Sequence, residues 1–209
     1  LVFDKQRRAV RWSDLMVLPS RMMLDTVRRC YEEAAGAPLG ERALVLPWGG
    51  LGVPADEAAA AAEASRLRAH YQLRPDTAVV MTLSRVSPEK GLHILLEALR
   101  VLEDAPFGRD LDVAVFLCGE PAFMRGEAYM RRVRRAADRL RRFRAFFPGY
   151  LDARTKPAYF KMADLFVSPS LHESYGLTVV EGLQAGLPVL ASDHYGVAET
   201  LRPDYGRTV

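Results

Sequence analysis

"LFVSPSLHESYGLTVVEGLQAGLPVLASD" occupies residues 165–193. Two short apolar runs, LFVSPS (165–170) and LPVLASD (187–193), flank a stretch, 177–185, whose apolar residues return at helical spacing. Both runs are continuous rather than alternating, as in strands buried on two faces. Strand, helix and buried strand in succession predict a βαβ unit, and with it a parallel sheet reached by a crossover helix.

The pattern continues towards the N-terminus. Further apolar runs bounded by Gly, Pro, Ser or Asp predict strands at 15–20, 42–47, 78–84, 112–119 and 144–150. Helical patterns lie between them at 20–35, 55–73, 89–104, 122–143 and 155–163. The fold class expected is α/β, a doubly wound, Rossmann-like parallel sheet that takes ligands beyond the carboxyl ends of its strands. The Gly- and Pro-punctuated stretch LPWGGLGVPADE (46–57) reads as a hinge. It divides residues 1–53, the end of one segment with its linker, from a second domain at 54–209.

A chain of 209 residues, 49% hydrophobic and 26% charged, can bury a sizeable core and is not a disordered tail. Cys30 and Cys118 are too few for a disulfide framework and lack zinc-site spacing, so a reducing, cytoplasmic setting with free thiols is expected. Cys118, in VAVFLCG, is expected to be buried. No apolar run approaches the roughly 18 residues that span a bilayer, and the N-terminus lacks the signal-peptide pattern. The chain starts at Leu1 and stops at YGRTV, which reads as part of something longer.

Glu173 and Glu181 stand eight positions apart around Tyr175-Gly176. Glu173 falls in the predicted loop, and Gly176 permits a tight turn where a side chain would obstruct a ligand. The N–H groups at 176–178 then open a helix, which suits an anion such as phosphate. Glu181, a turn past Leu177, rises on the same face. Carboxylates beside phosphate would repel it unless they grip something else, and vicinal sugar hydroxyls fit. The bland reading is a pair of solvated or capping acids. In LSRVSPEKG (83–91), Arg85 and Lys90 bracket a turn at the end of another strand. Two cations of this kind can offset a diphosphate and stand in for a divalent metal, and an exposed basic turn is the alternative. Gly119 in FLCGEPAF ends a third strand and could let a ligand approach, with a simple strand-to-helix turn as the plain reading, and Tyr150 in PGYLD follows a fourth, where backbone could edge a base.

In order, SRVSPEKG, CGE, PGYLD and ADLFVSPSLHESYGLTVVEGLQAGLPVLASDHYGVAETL resemble the donor-binding domain of the retaining GT-B glycosyltransferases, family 4 group, across about residues 78–202. Residues 13–53 resemble the end of that family's acceptor domain and its linker. The resemblance implies a metal-independent, retaining hexosyltransferase that needs no cofactor and uses a nucleotide-sugar donor linked to UDP, GDP or ADP. It implies that Glu173 contacts the donor sugar and Glu181 the ribose. The backbone at Tyr175, Gly176, Leu177 and Thr178 would meet sugar and phosphate, and Arg85 with Lys90 the diphosphate. Ser84 departs from the family's usual glycine, narrowing the room there, and Tyr195-Gly196 replaces a double glycine. The family's N-terminal glycine-rich loop and histidine and its closing C-terminal helices have no counterpart here, so this chain alone is expected to be inactive. A GT-B sugar-nucleotide epimerase and a non-catalytic nucleotide-sugar-binding module stay open as alternatives.

The run RGEAYMRRVRRAADRLRRFR (125–144) places Met130, Val133, Ala137 and Leu140 on one helical stripe and arginines elsewhere. A solvated face is the plain reading, and a peripheral membrane contact serving a lipid-linked or glycan acceptor the sharper one. Nucleic acid is not expected, because no aromatic platforms interleave the arginines. His70, His93, His172 and His194 have no metal-ligand spacing; His93 is expected to be structural and no metal site is expected.

Overall fold

The structure, a computed structural model, describes residues 2–32, 39–49, 56–122, 124–194, 196–201, 204 and 206–209. Its helices are α1 (Val2–Trp12), α2 (Arg21–Val27), α3 (Glu57–His70), α4 (Leu92–Asp104), α5 (Gly126–Ala137), α6 (Lys156–Met162), α7 (Leu177–Gln184) and α8 (Gly196–Thr200). Its strands are β1 (Met16–Leu18), β2 (Ala43–Val45), β3 (Ala78–Leu83), β4 (Val113–Cys118), β5 (Arg144–Gly149), β6 (Leu165–Ser168), β7 (Val189–Ala191) and β8 (Gly206–Thr208). The larger sheet runs β5-β4-β3-β6-β7-β8 and every pairing in it is parallel. This is the doubly wound α/β sheet that the continuous apolar runs predict.

The pleat sends alternate residues to opposite faces. Val79, Met81, Ala114, Phe116 and Phe166 face α3, α6 and α7, whereas Val80, Val115, Leu117 and Val167 face α4 and α5. β3 is the central strand, and its two neighbours feed helices to different faces. The chain after β3 becomes α4 on one face, and the chain after β6 becomes α7 on the other. A crevice opens between such diverging connections at the carboxyl ends of the strands.

The N-terminal residues form a small parallel pair, β1-β2, packed with α1 and α2 around Val10 and Leu39. Hydrogen bonds join this part to α8 and to the loop after β6. Glu199 accepts the N–H groups of Arg21 (2.9 Å) and Met22 (2.7 Å). The Ser20 hydroxyl reaches the Ser174 carbonyl at 3.4 Å, and the Tyr175 hydroxyl donates to the Trp48 carbonyl at 2.6 Å. The expected boundary at 53/54 lies outside the described residues.

Some element bounds differ from expectation. The helix expected over 122–143 covers only 126–137. Its end is drawn out by the buried carboxylate of Glu103 on α4, which accepts backbone N–H groups from Arg141, Arg142 and Phe143. Those amides cannot then continue a helical ladder. Helix 20–35 is α2 followed by a π-helical turn, Arg28–Glu32, and 33–38 lie outside the described residues. Three elements, α1, α8 and β8, have no counterpart in the sequence-based expectation.

The arginine run divides by role. Arg142 donates to the carbonyls of Glu103, Gly108 and Arg109, Arg144 pairs with Asp112, Arg141 pairs with Asp104, and Arg134 lies over the Phe147 ring. Arg131, Arg132, Arg135 and Arg139 remain exposed on α5 and the turn after it, and Met124, two residues before α5, is fully exposed. Val133 and Tyr129 are the buried residues of the opposite stripe.

Candidate functional site

The loops leaving β3 and β6 meet because Gly91 lets them. Its φ of +63° is left-handed, and a Cβ there would stand 1.9 Å from the Pro169 carbonyl oxygen. The Leu171 N–H donates to the Glu89 carbonyl at 2.8 Å along the same seam. Across it, Lys90 Nζ lies 2.5 Å from Glu173 Oε2, and both side chains are largely buried.

Beside this seam lies a cleft of about 230 Å³ lined by Trp48, Leu83, Ser84, Arg85, Lys90, Glu173, Ser174 and the residues from Tyr175 to Thr178. Eight of the expected site residues therefore converge: Ser84, Arg85, Lys90, Glu173, Tyr175, Gly176, Leu177 and Thr178. Trp48, Leu83 and Ser174 join them without having been singled out. Trp48 belongs to the N-terminal part, and its ring meets the Tyr175 ring edge-on at 6.0 Å. No signal local to Trp48 announces this, because its partner is 127 positions away.

Gly119, Tyr150 and Glu181 do not line the cleft. Gly119, at φ +130°, brings β4's end so close to β3 that a Cβ would sit 1.8 Å from the Ser84 carbonyl oxygen. Tyr150 is 71% exposed past the end of β5. Glu181 lies one turn along α7 from the lining residues, with Oε1 2.6 Å from Lys156 Nζ. Lys156 carries no motif, and its pairing links residues 25 apart.

Gly176 takes φ +88° at the N-cap of α7, and no side chain caps that helix. A Cβ at Gly176 would meet Val197 and Val179 rather than open space, so its left-handed turn and its packing both require glycine. Val179 and Val180 donate to the Gly176 carbonyl, while the N–H groups of Leu177 and Thr178 belong to the unpaired first turn. They supply the cleft with partial positive charge.

Among the residues lining the cleft, the cations Arg85 and Lys90 meet one carboxylate, Glu173. Glu89 lies outside the lining, and its carboxyl accepts the Ser87 hydroxyl at 2.6 Å. Burial works against the Glu89 charge, but Ser87, its own backbone N–H, Arg85 and Lys90 outweigh it and hold its carboxyl below the usual range. Because Lys90 has three donors and Glu173 engages one oxygen's worth of them, the ammonium keeps capacity for a further acceptor. Among the described residues, no three His, Cys, Asp or Glu side chains gather as a metal site. His93 binds the Tyr129 hydroxyl at 2.7 Å and ties α4 to α5, a structural role.

Comparison with known proteins agrees with this fold. The chain is 32% identical over 181 residues to the phosphatidyl-myo-inositol mannosyltransferase of Mycobacterium tuberculosis, covering 85% of this chain and 41% of the relative. It is 31% identical over 128 residues to the D-inositol 3-phosphate glycosyltransferase of Jonesia denitrificans, covering 60% of this chain and 29% of the relative. The chain thus spans well under half the length of these relatives. Anabaena HepE, crystallised with UDP and glucose, superposes with a TM-score of 0.73 at 24% identity, covering 99% of this chain and 53% of that one. A sucrose-phosphate synthase from Thermosynechococcus elongatus gives 0.72 at 22% identity, with 99% and 48% coverage. These two likenesses concern the fold, which is that of GT-B enzymes. The profile described as "Glycosyl transferases group 1" matches residues 63–209, and the chain belongs to that family.

Proposed function

We propose that this chain supplies the donor-binding part, residues 54–209, of a transferase that moves a hexose from a nucleoside-diphosphate sugar to an acceptor hydroxyl with retention of configuration. Residues 1–53 are the end of the acceptor part with its linker. The observation that carries this reading is the cleft at the switch between β3 and β6, where Arg85, Lys90, Glu173 and the uncapped start of α7 converge. A relative from this family supports the reaction class, and the UDP and glucose bound by HepE support the donor class.

In this reading Glu173 grips the sugar, and the backbone from Tyr175 to Thr178 meets sugar and phosphate. Arg85 binds the diphosphate bidentately, and Lys90 shares its ammonium between Glu173 and a phosphate oxygen. Ser84 shapes the floor with Gly119 packed behind it, Tyr150 borders the base, and Glu181 takes the ribose hydroxyls. As the bond from the anomeric carbon to the diphosphate breaks, charge grows on the leaving oxygens and these cations and amides face it without reorganising. The acceptor oxygen bonds to the same face of that carbon, and its proton leaves with the departing diphosphate. The cations take the place of a metal, and no cofactor takes part.

The exposed arginines of α5 with Met124 suit anionic lipid headgroups, which fits a cytoplasmic enzyme touching a membrane to reach a lipid-linked acceptor. No helix among the described residues is long and apolar enough to cross one. Isothermal calorimetry against UDP, GDP and ADP tests the central reading. Binding of one of them is expected, weakened about tenfold or more by Arg85→Ala. A folded sample that binds none refutes it.

A further inference from the structure

Glu181 is not a bare acid: Lys156 Nζ holds its Oε1 at 2.6 Å, and the two side chains keep only 14% and 22% of their surface exposed. Lys156 opens α6 just beyond the end of β5. The turn before it is fixed by Asp152, whose Oδ1 accepts the N–H groups of Arg154 and Thr155 and the Thr155 hydroxyl. The Lys156 N–H in turn donates to the Asp152 carbonyl. The ammonium is therefore delivered from a rigid corner, and α6 and α7 pack on one face of the sheet. The pair joins α6, which follows β5, to α7, whose first turn lines the cleft.

Two physical consequences follow from that placement. A glutamate has three rotatable side-chain bonds, and ordering it on a ligand costs rotamer entropy that a pre-formed ion pair has already removed. A carboxylate near a diphosphate repels it, and a lysine at this distance cancels that charge while leaving Oε2 free to accept hydroxyls. We propose that Lys156 is a positioning residue that presents Glu181 to the vicinal hydroxyls of the nucleotide's ribose. This rests on the ribose role given to Glu181 above.

The test is calorimetry on the full chain with UDP, GDP and ADP, each paired with its dideoxyribose counterpart. The ratio of the two dissociation constants reads the ribose preference, which a mere tie between α6 and α7 would not move. The wild type should favour the ribose form of the nucleotide it binds. Glu181→Gln should reduce that preference, by about tenfold for a charge-assisted contact. Lys156→Met should reduce it to the same extent, Lys156→Arg should restore it, and combining Lys156→Met with Glu181→Gln should add nothing. If Lys156→Met fails to fold, Lys156→Gln reads the same ratio with the same expected direction. A folded Lys156→Met or Lys156→Gln protein with the wild-type preference overturns the proposal and leaves the donor reading intact. A wild type that binds a nucleotide without preferring ribose removes the role of Glu181 and the proposal with it, and a wild type that binds none removes the donor reading as well.

Discussion

Replacing Gly91 by alanine tests the seam that brings the two halves of the cleft together. Two costs are separable there. The left-handed φ of +63° penalises any Cβ by about 1 kcal/mol. The new methyl would also stand 1.9 Å from the Pro169 carbonyl oxygen, far inside the roughly 3.5 Å of ordinary contact. Its obstacle is backbone rather than a flexible side chain, so α4 and the β6 loop must part, at about 2 kcal/mol by analogy with overpacked cores. The total of about 3 kcal/mol corresponds to a fall in Tm of about 6 to 12 °C for a chain of this size. Gly186→Ala is the control, since Gly186 has a φ of +77° with nothing within 4 Å of an added Cβ. It should lose only the conformational part, about 2 to 4 °C. Thermal denaturation followed by circular dichroism measures both. Equal losses in the two variants would refute the claim that backbone contact at Pro169 joins the loops.

Glu103→Ala should cost about 3 kcal/mol in urea denaturation, because it strands three backbone N–H groups behind α4. Burial opposes the Glu103 charge, but hydrogen bonds from Phe143, Arg142 and Arg141 hold its pKa below the usual value. The depressed folded-state pKa makes its contribution fully present above about pH 4.3 and lost as pH falls through the folded value, so Glu103→Gln should flatten the acid limb of the stability profile. Tyr175→Phe removes the hydroxyl's bond to the Trp48 carbonyl and should lower stability by about 1 kcal/mol, measured by the same denaturation. Arg142→Ala should destabilise by about 2 kcal/mol through three abandoned carbonyls, whereas Arg135→Ala should stay within about 0.5 kcal/mol of wild type and instead weaken co-sedimentation with anionic liposomes. Burial pushes the Cys118 thiol pKa upward, so at neutral pH a maleimide should label exposed Cys30 and spare Cys118, as read by mass spectrometry.

The central sheet was legible because its strands are apolar on both faces, and 78–84, 112–119 and 165–170 stand out against the helices between them. β8 carries Gly206, Arg207 and Thr208, which contain no apolar run, and it becomes a strand only through its ladder to β7. α1 sets five apolar against five charged residues in an amphipathic pattern that the sequence does offer, whereas α8, five residues long, is too short to present a periodic stripe. The end of α5 was misplaced because the carboxylate that draws it out, Glu103, is 38 to 40 positions away from the amides it binds. At the site, Arg85, Lys90, Glu173 and the turn at Gly176 sit within motifs and were readable from them. Lys156, Trp48 and the close approach of Gly91 to Pro169 are products of tertiary packing, and nothing in their neighbouring residues encodes them.

The pairing of Lys90 with Glu173 has a kinetic consequence. The two residues are 83 positions apart, and the walls they join rise from β3 and β6, which become neighbours only after β4 and β5 have been inserted between them in the chain. Contacts of such long sequence separation are slow to form, because the loop entropy is lost before the contact returns anything. A nascent chain stopped short of residue 165 would hold Arg85 and Lys90 with no opposing wall. On the donor-binding proposal, nucleotide affinity should therefore appear late in refolding, with the joining of β6 to β3. A bound nucleotide would select that joined state and stabilise it in proportion to the logarithm of its concentration.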